Sequence, residues 1–590
     1  MSTLTLKKAA GRSPSRRQAI QIGAAVTAAG LLVSKSATLA AHAKDGESGG
    51  TPTAPFTTPF VVPLPVYKAK LPVSALSPPA AFYVGQGECG RDPHQRWGDW
   101  RPQKFYTLTV QQALHSFHPE LPTQVVWGYD GMVPGPTFVE RYGKAVIVRI
   151  INNLPANVVG YGSPEISTHL HNLHSASESD GYAGDYYSAT RFGPTMAGAG
   201  AYKDHLYPNA YAGYDDPQYA ATKGDPREAL GTLWYHDHRI DFTAANVYRG
   251  LTGFYLLFDD IDSGNELDTN PKALRLPSGV GKYDIPLVFQ DKRFDSSGYL
   301  AFDQFATKGI LGNKFCVNGK VQPFFQVERR KYRFRMLDGG PSRVYEFYLT
   351  TDAGVNQSFT YIANDGNLLP APLTMSKVNL SSAERADIVI DFSKYPAFSK
   401  LYLVNRLIQV DGRGPEGPLV NTRGADGLLT TPATQLLRFD IGGDPATPDL
   451  SQVPATLRAL PPINLAEVVA NRRFEFDKQN EVWTINNKIF DVDNPTVKVK
   501  RGAAEIWTLK GKGSWHHPVH IHFEEGRILT RNGVPPPPHE SGRKDVYLLQ
   551  PDEEVRVFIR FRDFLGKYMM HCHNLTHEDH AMMLRYDIVD

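Results

Sequence analysis

The chain has 590 residues, and its 63 basic residues nearly balance its 61 acidic ones, for a formal net charge of +2. This length exceeds what one hydrophobic core can bury and predicts about three domains. The small net charge argues against nucleic acid or an anionic membrane surface as a partner. We therefore expect a monomer that acts on a small diffusible molecule.

The first 43 residues have the pattern of an export signal. Arg16 and Arg17 precede an apolar run from Ile20 to Val33, and Ala41-His42-Ala43 offers a small-x-small cleavage site. Paired arginines before a modest apolar stretch are typical of a twin-arginine signal, so we expect a periplasmic or extracellular protein. The alternatives are an ordinary secretory signal or a retained anchor, although the run is too short to span a bilayer comfortably.

A repeated pattern divides the remaining chain into three parts. A polar turn, a short run and an alternating strand recur in the same order at Tyr129-Asp130-Gly131-Met132, Val317-Asn318-Gly319-Lys320 and Ile485-Asn486-Asn487-Lys488. The copies lie a domain's length apart, which far exceeds any solenoid period. We therefore predict an all-β protein with three β-sandwich domains in tandem, at 60–260, 280–440 and 470–590.

The three cysteines are too few for a disulfide framework. Cys572 lies between two histidines and is a candidate metal ligand. Cys89 and Cys316 either form one disulfide or remain two buried free thiols, and the sequence leaves both alternatives open.

Histidine is restricted to the two outer domains, because none occurs between His238 and His516. Residues two apart on a strand point to the same face, so a His-x-His pair can present two imidazoles to one point. A single pair is more often surface or core than ligand, but four pairs predict a shared metal cluster. This eight-histidine cluster consists of His169, His171, His236, His238, His520, His522, His571 and His573.

A second group of ligands points away from that cluster. Cys572 lies between two cluster histidines, and His517 precedes His520 by an odd offset, so on regular strands both side chains face the opposite side. Two histidines, a thiolate and a thioether are the ligands of a blue electron-transfer copper. We call this group the type 1 set; it consists of His517, Cys572, His577 and Met582.

The two groups predict oxidase chemistry. Eight imidazoles shared by three metals leave coordination positions open, and an open site on a redox metal is where dioxygen can bind. Cys572 is covalently next to two cluster histidines, so electrons have a short bonded path from one group to the other.

Four segments carry a family resemblance: His169-Leu170-His171, Trp234-Tyr235-His236-Asp237-His238, His517-Pro518-Val519-His520-Ile521-His522 and His571-Cys572-His573-Asn574-Leu575-Thr576-His577 with Met582. They resemble the four copper signatures of multicopper oxidases. The ending from His577-Glu578-Asp579 through Met582-Met583 is particularly similar to bacterial spore-coat laccases, bilirubin oxidases and phenoxazinone synthases.

This resemblance implies cupredoxin-like Greek-key domains and four copper ions per chain. Type 1 copper would be bound by the type 1 set, type 2 by His169 and His520, and the type 3 pair by His171, His236, His238, His522, His571 and His573. The implied activity is that of a laccase, which couples one-electron oxidation of diphenols and related donors to the four-electron reduction of dioxygen to water.

Two positions depart from the family pattern. Asn172 stands where relatives commonly have glycine, and His516 makes the start of the third signature ambiguous by one residue. We assign His517 as the ligand, because only His517 precedes a proline and lies three residues before His520. His516 is then a packed or solvent-facing neighbour.

Two carboxylates match acidic positions that the spore-coat laccase group uses near the oxygen channel. Asp180 and Glu578 could deliver the protons that oxygen reduction consumes. The alternative for Asp180 is a turn-forming residue before Gly181, and the alternative for Glu578 is an outer partner that orients a ligand histidine.

The same sequence features are compatible with other functions. A non-enzymatic copper-binding protein could keep the same fold without the chemistry. Oxidation of manganese, iron or copper ions is possible, although nine methionines without a rich segment do not favour a cuprous-ion oxidase. The resemblance implies that donors contact the exposed edge of a type 1 histidine, and we expect the loop from Glu524 to Lys544 to border that edge.

Overall fold

The computed structural model describes residues 54–66, 68–76, 85–418 and 433–590, so the predicted signal segment lies outside the described residues. Strands dominate these ranges, which confirms the all-β prediction. Within them, no helix has the length and apolar character needed to cross a membrane. The α-helices are α1 (Ser177–Asp180), α2 (Thr243–Arg249) and α3 (Leu575–Asp579), and short 3-10 helices lie at Pro217–Tyr219, Pro226–Glu228, Phe392–Lys394, Leu465–Glu467 and Pro538–Glu540.

The first domain is a sandwich of two four-stranded sheets, with strand orders β2-β1-β4-β6 and β3-β8-β7-β5. Its strands are β1 (Lys104–His115), β2 (Gln124–Tyr129), β3 (Phe138–Arg141), β4 (Val146–Asn152), β5 (Thr168–His171), β6 (Tyr202–Tyr207), β7 (Thr232–Asp237) and β8 (Thr252–Phe258).

The middle domain pairs a seven-stranded sheet, β11-β10-β9-β13-β19-β16-β17, with a six-stranded sheet, β12-β23-β20-β14-β15, in which β18 also pairs with β14; β21 and β22 form a separate pair. Its strands are β9 (Asp284–Lys292), β10 (Lys314–Val317), β11 (Lys320–Val321), β12 (Phe324–Val327), β13 (Lys331–Asp338), β14 (Tyr345–Thr351), β15 (Asn356–Gln357), β16 (Phe359–Asn364), β17 (Asn367–Met375), β18 (Lys377–Leu380), β19 (Arg385–Asp391), β20 (Lys400–Asn405), β21 (Leu407–Ile408), β22 (Gly417–Pro418) and β23 (Thr434–Ile441).

The last domain packs a six-stranded sheet, β25-β24-β27-β32-β29-β30, against a five-stranded sheet, β26-β34-β33-β28-β31. Its strands are β24 (Val468–Gln479), β25 (Val482–Ile485), β26 (Val497–Lys500), β27 (Ala504–Gly511), β28 (His517–Ile521), β29 (Gly526–Arg531), β30 (Arg543–Lys544), β31 (Val546–Leu549), β32 (Glu554–Arg560), β33 (Gly566–Cys572) and β34 (Met583–Val589).

The three domains share one topology. In each, the first strand (β1, β9 or β24) pairs antiparallel with the second and parallel with a later strand (β4, β13 or β27). The strand just before that later strand lies parallel to the last strand of the domain, in the pairs β3-β8, β12-β23 and β26-β34. The middle domain differs by the short extra strand β11. The repeat seen in the sequence is therefore a repeat of strand order.

The recurring polar turn has the same backbone in every copy. Both central residues have positive φ, at Asp130-Gly131 (53° and 68°), Asn318-Gly319 (47° and 75°) and Asn486-Asn487 (52° and 60°). A two-residue hairpin turn with two left-handed residues matches the right-handed twist of the strands, and Asn, Asp and Gly tolerate that conformation best. Local sequence thus specifies the turn that begins each repeat.

Each sandwich buries its own core, which positions the histidine strands. The inward faces of the last domain contribute Phe476, Trp507, Leu509, Val557 and Tyr586, all almost fully buried. Side chains of this size stabilise by about 1.5–3 kcal/mol each when fully buried. This packing holds β28 and β33 side by side, and the corresponding packing in the first domain holds β5 beside β7.

Candidate metal centre

Strand register places the histidine pairs opposite one another. His169 lies opposite His236 across β5 and β7, and His520 lies opposite His571 across β28 and β33. Because alternate residues share a face, the second histidine of each pair follows on the same side. Each outer domain therefore presents four imidazoles from two adjacent strands.

These two groups of four meet at the junction of the first and last domains. The His171 ring stacks on His520 at a centroid distance of 3.7 Å, and the His169 ring stacks on His522 at 3.9 Å. His238 and His571 are 4.8 Å apart. All eight residues of the eight-histidine cluster have 0% exposure. The structure thus brings together every residue that the sequence assigned to this cluster.

Each ring of the cluster has one nitrogen close to an oxygen on the outside. Such contacts select a tautomer and fix the ring orientation. The oxygens belong to the Asp180 carbonyl (His169), the Asp180 carboxylate (His522, 2.8 Å), the Asp545 carboxylate (His171, 3.0 Å), the Asp545 carbonyl (His520, 2.9 Å), the Asp237 carbonyl (His236, 2.8 Å), the Glu578 carboxylate (His571, 3.1 Å; His238, 3.4 Å) and the Ser382 hydroxyl (His573, 3.5 Å).

The remaining nitrogens face the interior of the cluster, and they fit copper. Those of five rings have no hydrogen-bond partner among the described residues: His169, His171, His236, His520 and His573. The Nε2 atom of His571 lies 3.2 Å from the Nε2 atoms of both His238 and His522. Buried polar atoms without partners are costly, so this arrangement is that of a ligand set. Imidazole suits copper, and the closest triads have their ligand atoms within 4.8 Å of one another.

Burial keeps seven of the cluster imidazoles neutral, which is the form that binds metal. Burial is the largest cause that lowers the pKa of His236 to about 3 and that of His238 to about 4. The pKa values of five further rings lie well below the ordinary value for the same first reason, with neighbouring histidines adding to it: His169, His171, His520, His522 and His573.

The type 1 set lies on the other face of β33. The Cys572 sulfur is 3.6 Å from His517 Nδ1 and 3.5 Å from His577 Nδ1, and all three residues are fully buried. Met582 is equally buried, and its backbone N–H donates to the His577 carbonyl while its carbonyl accepts from the Cys572 N–H. Burial raises the pKa of the Cys572 thiol, so a bound cation is needed to stabilise the thiolate.

The side chains of two consecutive residues of helix α3 point in different directions. Consecutive helical residues are about 100° apart, so His577 can face Cys572 while Glu578 faces the cluster. The Glu578 carboxylate accordingly lies near His571 and His238. Asp579, the last residue of α3, accepts from the backbone N–H groups of Thr243 and Ala244 at the start of α2 (2.8 and 3.1 Å), which joins this helix to the first domain.

Replacing Met582 with leucine should raise the reduction potential of the type 1 copper. A weak thioether ligand stabilises Cu(II), and a leucine of similar size removes that contribution without opening the site. A redox titration followed at the blue absorbance measures the shift. An unchanged or lowered potential would mean that another group is axial.

Asp180 and Asn172 lie at turns whose backbone explains the residue present. Asp180 ends α1 before Gly181, which has φ 88°, and its fully buried carboxylate also contacts His522. The turn-forming interpretation and a role at the cluster are thus both compatible with its position. Asn172 has φ 68°, a conformation that asparagine tolerates better than most residues, and its side-chain amide donates to Glu525.

Two residues that the sequence did not indicate support the cluster from behind, one directly and one through the other. Asp545 holds His171 and His520, and Arg385 of the middle domain binds the Asp545 carboxylate. The available signal was a charged run, Arg543-Lys544-Asp545, directly before the apolar strand β31. Charges at the start of a buried strand need partners, but the sequence does not name them.

The type 1 histidines have no exposed edge, which corrects one expectation. His517 and His577 have 0% exposure. His577 Nε2 donates to the Lys308 carbonyl of the middle domain (2.9 Å), and the Trp483 ring stacks on His577 at 3.8 Å. Trp515, which is half-buried, meets both Trp483 and His577 edge to face.

We expected the loop from Glu524 to Lys544 to border these histidines, and this stays a prediction. Some of its contacts lie in the middle domain: its His539 carbonyl accepts from the Asn364 side chain, and Lys544 pairs with Asp365 and Glu384.

The structure also answers the questions that the sequence left open about His516 and about a disulfide between Cys89 and Cys316. His516 lies outside the type 1 set: its backbone N–H donates to the Arg413 carbonyl (2.7 Å), and its ring is partly exposed. Cys89, Cys316 and Cys572 are all free and buried, so the disulfide alternative does not apply.

The chain matches known proteins over nearly its full length. Two family models described as multicopper oxidase match residues 110–194 and 463–590. The chain is 35% identical to a bilirubin oxidase of Albifimbria verrucaria (90% of this chain, 81% of the relative) and 30% identical to a laccase of Bacillus subtilis (83% and 95%). Its fold is similar to a crystal structure of a laccase from Pediococcus acidilactici, with a TM-score of 0.69 at 23% identity over 92% of this chain and 97% of that one. The chain belongs to the multicopper oxidase family.

Proposed function

We propose that this multicopper oxidase is a laccase that binds one type 1, one type 2 and two type 3 copper ions and oxidises phenolic donors. The observation that carries the proposal is the arrangement of β33, which places Cys572 in the type 1 set on one face and its two histidine neighbours in the eight-histidine cluster on the other. Copper supplies one-electron oxidation of the donor at the first site and reduction of dioxygen to water at the second.

The residues of the chain shape the path of the electrons. Cys572 is bonded through the backbone to His571 and His573, so a few covalent bonds join the two ligand groups. The type 1 set is packed among apolar side chains, including Trp483 and Phe476, and this burial excludes water from the thiolate. The short path and the dry environment both favour electron transfer over side reactions.

Two carboxylates can move protons to the reacting oxygen. The Glu578 carboxylate lies 3.1 Å from His571 Nδ1 and 3.4 Å from His238 Nδ1, so it faces two ring nitrogens of the cluster. Asp180 contacts His522 on another side of the cluster through one oxygen, while its other oxygen has no hydrogen-bond partner among the described residues. Buried carboxylates that face the cluster are placed to hold and pass a proton.

The surface next to the type 1 set favours an aromatic molecule as the electron donor. Trp515 is the half-buried ring in contact with His577, and Arg413 and Lys478 lie 5.7 and 5.5 Å from it. A phenol can stack on such a ring, and cations nearby stabilise a phenolate. A divalent metal ion instead needs oxygen ligands, and the neighbouring carboxylates of Asp411 and Glu481 are already paired with these two bases.

The copper-loaded enzyme should oxidise a phenol faster than Mn(II), Fe(II) or Cu(I), with oxygen uptake as the measurement. Replacing Trp515 with alanine should lower kcat/KM for the phenol several-fold, because the stacking surface is lost, while replacement with phenylalanine should retain most of it. An unchanged blue absorbance in both variants shows that the type 1 set is intact. Preference for a metal ion, or an alanine variant with wild-type phenol kinetics, would contradict the phenolic assignment.

We also propose that the protein is exported. The support is the paired Arg16-Arg17 before an apolar run and a small-x-small cleavage motif at 41–43. A pathway that exports folded proteins suits a chain whose metal ligands come from distant segments.

A further inference from the structure

The middle domain contains no histidine, yet one of its side chains reaches the eight-histidine cluster indirectly. Arg385, the first residue of β19, is fully buried. Its Nη1 and Nη2 atoms donate to the two carboxylate oxygens of Asp545 at 2.6 and 2.5 Å. A bidentate pair of this kind, with two parallel N–H···O bonds, fixes the orientation of the carboxylate and places its charge against that of the guanidinium.

Asp545 in turn holds one histidine from each outer domain. Its carboxylate accepts from His171 Nε2 (3.0 Å), and its backbone carbonyl accepts from His520 Nδ1 (2.9 Å). These contacts leave His171 Nδ1 and His520 Nε2 pointing inward without a hydrogen-bond partner among the described residues. His171 therefore presents a different nitrogen from His520. A turned Asp545 carboxylate would remove the contact that orients His171 and would loosen the residue whose carbonyl holds His520.

The guanidinium of Arg385 also joins all three domains. Nε donates to the Thr232 carbonyl of the first domain (3.3 Å), and the two Nη atoms also donate to the Ala383 and Asp365 carbonyls of the middle domain (3.2 and 3.0 Å). With the two bonds to Asp545 of the last domain, all five N–H donors are used. A lysine has three donors and no planar fork, so it cannot reproduce this set.

Asp365 supports the same arrangement from the other side. Its carboxylate accepts from the backbone N–H groups of Arg385 (3.0 Å), Asp545 (3.3 Å) and Val546 (3.2 Å), and it pairs with Lys544 (2.9 Å). The backbone around Asp545 is therefore held by the middle domain, and so is its side chain.

We propose that Arg385 is a positioning residue for the copper cluster: by holding Asp545, it sets which nitrogen His171 presents and steadies the backbone carbonyl that holds His520, so that the middle domain controls copper retention by the two outer domains. This inference rests on the copper content of the proposed function. Loss of a partner behind a metal ligand typically weakens metal binding about 10- to 100-fold.

The test compares Arg385→Lys with a matched control, Arg335→Lys. Arg335 is also fully buried, also binds one aspartate through two bonds (Asp284, 2.7 and 2.8 Å) and also reaches Thr232 (2.8 Å), but those bonds hold no histidine. Both variants are purified as copper-loaded full-length protein. Copper content, the EPR signal of type 2 copper, the blue absorbance and the rate of copper removal by a chelator are measured for each.

We expect Arg385→Lys to keep the blue absorbance, because the type 1 set lies on the other face of β33, while its type 2 signal weakens or changes hyperfine coupling. Its cluster copper should also be lost to a chelator about 10- to 100-fold more readily. Arg335→Lys should unfold at a lower temperature with wild-type copper content and type 2 signal. If the two variants have the same copper content, type 2 signal and rate of copper removal, Arg385 only connects the domains and the proposal is overturned.

Asp545→Asn keeps the test decisive if Arg385→Lys does not fold. An asparagine has the same shape but only one side-chain oxygen, so it cannot accept from both Nη atoms, and it should reproduce the type 2 change. A wild-type signal in Asp545→Asn overturns the proposal. If the wild-type enzyme shows no type 2 signal, the proposed copper content is overturned as well. If the wild type shows the signal and only the variants lack the expected change, the proposed copper content is unaffected.

Discussion

Replacing Cys572 with serine should remove the blue absorbance and the turnover of phenols together. The thiolate provides both the charge-transfer absorption and the bonded route to the cluster, and a serine hydroxyl is a poor ligand for copper in a trigonal site. Absorption spectroscopy, copper analysis and oxygen uptake measure the three quantities. The variant should lack one copper ion and keep the cluster copper, because the cluster histidines lie on the other face of β33.

Cys316→Ser is the matched control for this experiment. Cys316 is also a free and buried thiol, but it lies in β10 of the middle domain and packs in a different core cluster from Cys572. It should keep its colour and activity. A Cys572→Ser protein that stayed blue, or a Cys316→Ser protein that lost its colour, would show that the sulfur ligand is assigned wrongly.

Replacing Glu578 with glutamine should slow the reoxidation of the reduced enzyme by dioxygen by roughly 100- to 10,000-fold, which is the usual contribution of a positioned acid. Glutamine preserves the shape beside His571 and His238 but has no proton to give. Copper content and reduction of the blue site by a phenol should stay near wild type. Stopped-flow mixing of the fully reduced variant with dioxygen isolates the affected step.

Asp579→Asn provides the comparison, because Asp579 is the next residue on α3 and two of its hydrogen bonds are with the start of α2. We expect it to lower stability without slowing reoxidation. If Glu578→Gln instead loses copper, Glu578 orients His571 and His238 and has no demonstrated role in proton delivery. If it reoxidises at the wild-type rate with full copper, Asp180 or water supplies the protons.

The sequence by itself determined that Cys572 and His517 face away from the eight-histidine cluster. Strand periodicity separates Cys572 from its two histidine neighbours, and an odd offset separates His517 from His520. This prediction needed only local backbone geometry, which short-range sequence controls. The Asp-Gly, Asn-Gly and Asn-Asn turns follow from the same local chemistry, and they marked the three domains before any strand order was known.

Only the tertiary structure decided what surrounds those ligands. Arg385 and Asp545 are far apart in the chain, and neither belongs to a metal-binding motif, so their pairing appears only once the domains are packed. His577 is likewise buried by the segment around Lys308, which belongs to another domain. Because the sequence does not show that contact, we expected an exposed histidine edge where the structure has a buried one. Ligand spacing is a property of one strand, but burial and outer hydrogen bonds are properties of the surfaces that separate segments bring together.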